Sequence, residues 1–194
     1  MIEVNSAKRK LLVICGPSGS GKSHLEKNLI EEYPDIFYKL PQVTTRKPRP
    51  GEVGTYTFIN SSTFDYLSDK LIGKLGISKD TIFKDKYGTI PDFKDDGIAT
   101  IILAKEAILD LKQTIEKNEI FLNDNNVELF IIGLDIDVDQ LSPEVKTTRE
   151  GRGEDFIEKE KEVLVFADQI FFNINGRYVM PNEVIRILQI KKFI

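Results

Sequence analysis

The apolar residues of the chain fall into two kinds of segment that alternate along it. Leu11–Cys15, Ile98–Leu103 and Glu128–Leu134 are short, nearly continuous apolar runs, which predict strands buried on both faces of a parallel sheet. Lys22–Tyr33 and Lys105–Lys117 carry apolar residues at helical spacing instead. Because strands that alternate with helices form βαβ units, the pattern predicts a three-layer α/β fold around a mostly parallel sheet.

The remaining segments predict shorter or less definite elements. Residues 56–59 alternate in polarity and predict a short strand, and Ser61 or Ser62 is expected to cap a helix that runs to Leu67. Leu71–Pro91 mixes glycine, lysine and short β-prone pieces and predicts no single element. Near the C-terminus we expect a charged helix, a last strand and a final helix, at Asp155–Phe166, Gln169–Ile174 and Pro181–Lys192.

Length, composition and charge narrow the class of protein. The 194 residues fit one domain, or one domain with a small lid, and 41% hydrophobic with 30% charged residues is typical of a globular protein. The net charge of 27 − 31 = −4 argues against binding of nucleic acid or membrane through bulk electrostatics. A single cysteine, Cys15, and a single histidine, His24, exclude a disulfide framework and a Cys- or His-based metal centre. We therefore expect a cytoplasmic protein.

Three other features are assigned structural rather than chemical roles. Cys15 ends a buried strand and is expected in the core, and His24 is expected on a helix surface. Asp135, Asp137 and Asp139 alternate, but acids favour turns and first helical turns, so a turn and a helix start are predicted there.

The strongest chemical signal lies between the first predicted strand and helix. Residues 16–23 match the phosphate-binding pattern G-x-x-x-x-G-K-[ST], known as Walker A, and read Gly16-Pro17-Ser18-Gly19-Ser20-Gly21-Lys22-Ser23. Such a loop turns backbone N–H groups toward phosphate oxygens, and the following helix N-terminus adds partial positive charge. Lys22 is expected to reach the outer phosphates of ATP, and the Ser23 hydroxyl to hold Mg²⁺. With strand and helix in place, the pattern favours a nucleotide site over a simple connecting turn.

A second signal is a basic loop further along the chain. Arg46, Lys47 and Arg49 place three cations within four residues, among prolines, and Tyr56 follows shortly after. Arginine offers phosphate a bidentate fork that lysine does not. By itself such a loop is more often only solvated.

Together the two motifs resemble those of the guanylate kinase family. Thr44-Thr45-Arg46-Lys47-Pro48-Arg49-Pro50-Gly51-Glu52 is similar to that family's T-T-R-x-P-R-x-G-E pattern, and the resemblance extends from about residue 10 to the C-terminus. It implies that the residues gripping the phosphate and base of an acceptor nucleoside monophosphate are Arg46, Arg49, Tyr56, Tyr87 and Thr89. The last two stand in Tyr87-Gly88-Thr89, which looks like the family's Y-G-[ST] element.

The resemblance also implies a lid and an adenine contact. Arg149 and Arg152, in Arg149-Glu150-Gly151-Arg152-Gly153, resemble the lid arginines that close on the ATP phosphates. Asn173 stands where the family's last strand approaches the adenine. The implied organisation is one guanylate kinase-like domain, with a core at about 1–40, 92–140 and 168–194, a monophosphate-binding region at 41–91 and a lid at 141–167.

The chain departs from the family mainly where the base is read. Gln42 replaces a serine, and Gly73 stands at the position of the guanine-reading glutamate. The strand that usually ends in I-L-D-x-D reads Ile102-Leu103-Ala104-Lys105 here. No second lid arginine precedes Arg152 by four residues, and only Lys159 or Lys161 offers a basic residue after the lid. Asp80 or Asp85 is an alternative source of the missing acid.

These observations predict an ATP- and Mg²⁺-dependent nucleoside monophosphate kinase. The implied acceptor is GMP, dGMP or, as in virus-encoded relatives, another monophosphate, and the expected partners are small nucleotides, with a monomer or homodimer as the assembly. Two alternatives stay open. One is a guanylate kinase-like binding module without catalysis, and the other is a small sugar-phosphate kinase of the same fold.

Overall fold

A computed structural model describes residues 8–49, 54–77, 84–117, 127–137, 158–173 and 178–194. Its strands are β1 (Arg9–Cys15), β2 (Phe37–Lys39), β3 (Gln42–Thr44), β4 (Thr57–Phe58), β5 (Ile72–Leu75), β6 (Tyr87–Thr89), β7 (Ile98–Ile102), β8 (Val127–Ile136) and β9 (Gln169–Asn173). Its α-helices are α1 (Lys22–Glu32), α2 (Ser61–Leu67), α3 (Lys105–Glu116) and α4 (Pro181–Ile190), and 3₁₀ helices occupy Ser68–Lys70 and Lys161–Phe166.

The larger sheet forms the centre of the molecule. Its strand order is β2-β7-β1-β8-β9, and every pairing in it is parallel. The predicted α/β fold with a mostly parallel central sheet is confirmed.

The two faces of β1 explain why its sequence is apolar throughout. Leu11, Val13 and Cys15 pack with α3 and the 3₁₀ helix at Lys161–Phe166. Leu12 and Ile14 pack on the other face with residues of α1 and α4. All five side chains are fully buried, so alternation of polar and apolar residues is absent by necessity.

A smaller four-stranded sheet, in the order β4-β3-β6-β5, lies within residues 42–89. The β3–β4 pairing is parallel, whereas β3–β6 and β5–β6 are antiparallel. Helix α2 packs on it through the buried Phe64, together with Val43 and Leu71. The Asp110 carboxylate of α3 accepts a hydrogen bond from Lys74 N of β5 at 2.8 Å, which ties this sheet to the central layer.

Three local predictions are corrected by the structure. Helix α2 is capped by the Asn60 side chain, which accepts from Thr63 N at 2.8 Å, and not by Ser61 or Ser62. Strand β8 continues through Asp135 to Ile136, because its backbone pairs in parallel with β9 as far as that residue, and the Asp135 carboxylate lies 3.6 Å from Lys161 Nζ. Within its described residues, 158–166, the charged helix is α-helical at 158–160 and then tightens into the 3₁₀ helix.

Other predictions agree with the structure or fall outside it. Cys15 is buried in the core, and His24 is exposed on α1, where its ring lies 5.0 Å from that of Tyr178. Residues 139 and 155–157 lie outside the described part of the chain. None of the helices in that part combines the length and apolar character needed to cross a bilayer.

Candidate active site

The predicted phosphate-binding loop connects β1 to α1 at the carboxyl edge of the central sheet. Its first glycine, Gly16, has φ +141°, and a Cβ there would stand 2.1 Å from Leu134 O. Gly21 has φ +88° and precedes α1, whose N-terminus has no side-chain cap and no acid in its first turn. The positive end of this helix is therefore suited to an anionic ligand.

The Lys22 side chain turns back toward the first residues of the loop. Its Nζ donates hydrogen bonds to Gly16 O at 2.8 Å and Pro17 O at 2.6 Å. The ammonium group is thus held at the start of the loop, and it lines the same cavity as Gly16 and Ser18. Next to it, burial raises the pKa of the Cys15 thiol to about 12, with the charge of Lys22 opposing the shift.

The Asn173 side chain contacts the phosphate-binding loop through hydrogen bonds. Its Nδ2 donates to Ser20 O, and its Oδ1 accepts from Val179 N at 2.9 Å. The side chain is 4% exposed. Within the described residues Asn173 therefore joins the end of β9 to the loop and to the segment that leads into α4.

The basic loop brings Arg46 into an aromatic cluster. The guanidinium carbon of Arg46 lies 5.6 Å from the ring centres of both Tyr56 and Phe58. The Tyr56 and Tyr87 rings meet edge to face at 5.8 Å. Three of the residues predicted to bind the acceptor phosphate are thereby brought together, while Arg49 is exposed on the loop.

The turn before Arg46 is fixed by Thr44. The Thr44 hydroxyl accepts from Arg46 N at 3.1 Å and donates to Lys86 O at 2.9 Å. Since Lys86 immediately precedes β6, one buried side chain sets the relative positions of Arg46 and Tyr87.

One cavity of about 270 Å³ contacts both the phosphate loop and the smaller sheet. Besides the loop it is lined by Tyr56, Tyr87 and Gln42 and by the apolar residues Leu75, Leu103, Ala104 and Ala107. Gly73 lines it as well, with φ +58°, and a Cβ there would stand 3.1 Å from the Leu103 side chain. The cavity lies at the carboxyl ends of β1 and β7, where α/β sheets bind their ligands.

The polar groups of this cavity differ from the expected base-reading acids. Among the described residues that line it, Glu160 at the phosphate loop is the sole acid. Asp85 does not line the cavity, and Asp80 lies outside the described residues. Gln42 Nε2 points toward the buried Thr89 Oγ1 and Ile102 O, at 3.4 and 3.5 Å.

A second cavity, of about 430 Å³, adjoins Ser23 and is lined by an ion pair whose acid is buried. Lys39 Nζ lies 2.8 Å from Glu26 Oε2, and the Thr100 hydroxyl donates to Glu26 Oε1 at 3.4 Å. Glu26 and Lys39 were missed from the sequence, because neither belongs to a motif. The one signal was an acid on the buried side of α1, at helical spacing from Leu29.

The predicted lid residues are only partly covered by the structure. Arg149 and Arg152 lie outside the described residues. Lys159 is exposed, and Lys161 Nζ lies 3.6 Å from Asp135 and 3.1 Å from Glu158. Glu160 was also missed from the sequence. Its carboxylate accepts hydrogen bonds from Ser18 N at 2.7 Å and Ser18 Oγ at 3.2 Å.

Comparison with known proteins extends these observations. The guanylate kinase family profile matches residues 8–118, more than half of the chain. The chain belongs to the guanylate kinase family. The matched range contains the phosphate loop, the Arg46–Tyr56–Tyr87 cluster and Thr89.

Individual relatives align with only part of this chain. The guanylate kinase of Trichormus variabilis is 43% identical over 65 residues, which is 32% of either chain. That of Chlamydia caviae is 33% identical over 125 residues, 61% of this chain and 60% of its own. The chain thus matches a third to about three fifths of the length of these curated relatives.

A solved structure supports the fold over most of the chain. The crystal structure of guanylate kinase from Anaplasma phagocytophilum superposes with a TM-score of 0.61 and covers 95% of this chain and 87% of that one. The sequences are 16% identical, so the similarity concerns the fold alone.

Proposed function

We propose that this guanylate kinase family member transfers a phosphoryl group from Mg·ATP to a nucleoside monophosphate. The observation that carries the proposal is the cavity shared by two phosphate-binding elements. Lys22 of the phosphate loop lines it on one side, and Tyr56 and Tyr87, next to Arg46, line it on the other. A donor and an acceptor phosphate bound at these elements would face each other.

The donor side supplies positive charge and oriented dipoles. The uncapped N-terminus of α1 and the loop N–H groups suit the phosphates of ATP. Lys22 is expected to exchange its two carbonyl contacts for phosphate oxygens.

Mg²⁺ fits the residues of the donor side. The Ser23 hydroxyl is exposed and lines the second cavity. Among the described residues no group of three or more metal-ligating side chains is found. One hydroxyl combined with phosphate oxygens and water is an arrangement that Mg²⁺ commonly adopts. Bound there, the ion would neutralise charge on the transferred phosphoryl group.

On the acceptor side, Arg46, Arg49, Tyr56 and Tyr87 are proposed to hold the monophosphate. The aromatic rings around Arg46 restrict its guanidinium, so less entropy is lost when it forms a bidentate contact. Phosphoryl transfer requires in-line positioning and charge neutralisation more than covalent help from the protein, and no general base is assigned.

Closure is assigned to the segment after β8. We propose a monophosphate-binding region at 41–91 and a lid at 141–167 that brings Arg149 and Arg152 onto the ATP phosphates. Exclusion of water by such a lid favours transfer over hydrolysis of the donor. Adenine is proposed to bind near Asn173 and Tyr178.

We propose that the site discriminates only weakly among the bases of acceptor monophosphates. Guanine presents two N–H donors on one edge, which a carboxylate accepts together, but next to its apolar part the cavity offers the Gln42 amide, which lies against the buried Thr89 hydroxyl. An amide donates as well as accepts and therefore discriminates poorly among bases. We expect GMP, dGMP and other monophosphates to be phosphorylated with modest preference.

A panel of acceptors tests this proposal. Steady-state ADP release is measured with Mg·ATP and GMP, dGMP, AMP, dTMP, CMP or a sugar phosphate. Turnover with several monophosphates within about 10³-fold of one another is expected, since a site built around a buried carboxylate reaches about 10⁴–10⁵. A preference for GMP of more than about 10³-fold would contradict weak discrimination among acceptor bases. Turnover of the sugar phosphate alone would favour the sugar-phosphate kinase.

The non-catalytic alternative is separated by thermal melting. Mg·ATP at 100 times its Kd stabilises a nucleotide-binding protein by about 2.7 kcal/mol, whereas a module that no longer binds ATP gains nothing. The proposal keeps small nucleotides as the ligands, a cytoplasmic location and a monomer or homodimer.

A further inference from the structure

The phosphate-binding loop is in contact with a carboxylate of the same chain. Glu160 accepts from the backbone N–H of Ser18 at 2.7 Å through one oxygen and from the Ser18 hydroxyl at 3.2 Å through the other. Its side chain lines the cavity that also contacts Gly16 and Lys22. An anion with two oxygens therefore occupies donors of a loop whose pattern is suited to phosphate.

The position of Glu160 is set by the element that follows it. Val163, in the 3₁₀ helix, is 3% exposed in the core, and its carbonyl lies 3.9 Å from Cys15 Sγ at the end of β1. Just before this anchor in the chain, Lys161 Nζ lies 3.6 Å from Asp135, and Glu162 lies 2.6 Å from Lys105 Nζ. Glu160 thus begins a segment attached to β1, β8 and α3.

We propose that Glu160 is an internal anion that competes with the outer phosphates of the donor nucleotide for the phosphate-binding loop. The proposal rests on the proposed function, because it presumes that Mg·ATP binds there. Lys22 is held at the same end of the loop by Gly16 O and Pro17 O. A phosphate brought to Lys22 would therefore approach the Glu160 carboxylate, and like charges at close range oppose binding.

Donor binding requires Glu160 to leave the loop. For the N–H of Ser18 to meet a phosphate oxygen, the carboxylate must move away, by rotation of the Glu160 side chain or by a shift of the segment at 158–160. Glu160 is accordingly a positioning residue: in the absence of donor it satisfies the loop, and on donor binding it gives way to the phosphate.

Substitution of Glu160 tests the competition by isothermal titration with Mg·ATP. Glu160→Gln retains a carbonyl oxygen for Ser18 N and removes the charge, so we expect Mg·ATP to bind about tenfold more tightly, within the usual range of coupling between sites. Glu158→Gln is the matched control. It removes the same charge two residues away, at a side chain that is 58% exposed and pairs with Lys161, and its Kd is expected within about twofold of wild type.

The outcomes separate this inference from the proposed function. Tighter binding in Glu160→Gln, and likewise in Glu160→Ala, with no gain in the control supports the competition. An unchanged or weaker Kd in both Glu160 variants, or an equal gain in the control, overturns it while leaving donor binding in place. Absence of Mg·ATP binding in wild type and in every variant overturns the proposed function and this inference together.

Discussion

Arg46 is the residue through which the proposed acceptor site is best tested. Its guanidinium lies over Tyr56 and Phe58, at the smaller sheet. We predict that Arg46→Ala lowers kcat/KM for the monophosphate by about 10- to 100-fold, since hydrogen bonds to charged groups contribute about 1.5–3 kcal/mol. Arg46→Lys should also be impaired, because the point charge of a lysine ammonium cannot replace a planar guanidinium that stacks on aromatic rings and binds phosphate through two hydrogen bonds.

The control for Arg46 is its neighbour. Lys47 is exposed on the same loop, and Lys47→Ala is expected to leave kcat/KM within about threefold of wild type. Titration of ATP should give nearly the same Kd for all of these variants. Equal weakening of ATP and monophosphate binding by Arg46→Ala would show that the basic loop does not serve the acceptor alone.

Cys15 gives a prediction about stability and pH. Burial raises the pKa of its thiol to about 12 in the folded protein, whereas an unfolded thiol titrates near about 8.5. Above that value the unfolded chain loses a proton that the folded chain keeps, so the stability from the neutral thiol is present below about pH 8.5 and falls as pH rises toward 12.

The measurement compares wild type with Cys15→Ala between about pH 8 and 10.5, a range that begins near the unfolded pKa of a thiol. The free energy of unfolding of wild type should fall more steeply with pH, by up to about 1.4 kcal/mol per unit. Other titrating groups, such as Tyr38, whose pKa is also raised mainly by burial, act equally in both proteins. Parallel profiles for the two proteins would contradict a buried neutral thiol.

At the residue scale the sequence predicts chemistry that is local in the chain and misses what depends on folding. The loop at 16–23 is contiguous, so its motif alone predicts Lys22 as a phosphate-binding residue. Glu160 reaches Ser18 across 142 residues, and no spacing rule connects them. Glu26 and Lys39 meet only because β2 lies beside β7, next to the start of α1.

At the scale of elements, the residue that caps the N-terminus of α2 differs between the sequence prediction and the structure. Asn60 Oδ1 is the acceptor for Thr63 N, while Ser61 and Ser62 are exposed inside the helix. Asn60→Ala should therefore reduce the free energy of unfolding by about 1 kcal/mol. Ser61→Ala is expected to change it by less than about 0.5 kcal/mol. Urea denaturation measures the free energy of unfolding of both variants. A larger loss in Ser61→Ala than in Asn60→Ala would show that the serine is the cap.

The long elements are predictable from the sequence, whereas among the short strands of the smaller sheet only the one at 56–59 was predicted, for a physical reason. β1, β7 and β8 are buried on both faces and therefore apolar, and α3 has a regular apolar stripe. β3 and β6 are three residues each, and their pairing is set by partners far away in sequence. The stretch at 71–91 thus has an irregular pattern although it supplies one edge of the cavity.

At the scale of the whole molecule, the two sheets line one cavity. The central sheet contributes the loop at 16–23 at its carboxyl edge, and the smaller sheet contributes Tyr87 with the adjoining Tyr56. Helix α3 connects the two sheets, since its Asp110 accepts a hydrogen bond from Lys74 N of β5. Under the proposed function this geometry would place a donor and an acceptor phosphate within one shared volume, which is what transfer between them requires.

Transfer of label tests the proposed kinase activity most directly. The protein is incubated with Mg·ATP labelled in the terminal phosphate and with each monophosphate of the panel, and the labelled products are separated. We expect label in a nucleoside diphosphate, formed only when an acceptor is present. Lys22→Ala should retain the fold and lose about 10²–10⁴ in rate, since its ammonium balances charge on the migrating group. Label found only in inorganic phosphate, or a Lys22→Ala rate within about threefold of wild type, would contradict phosphoryl transfer at this site.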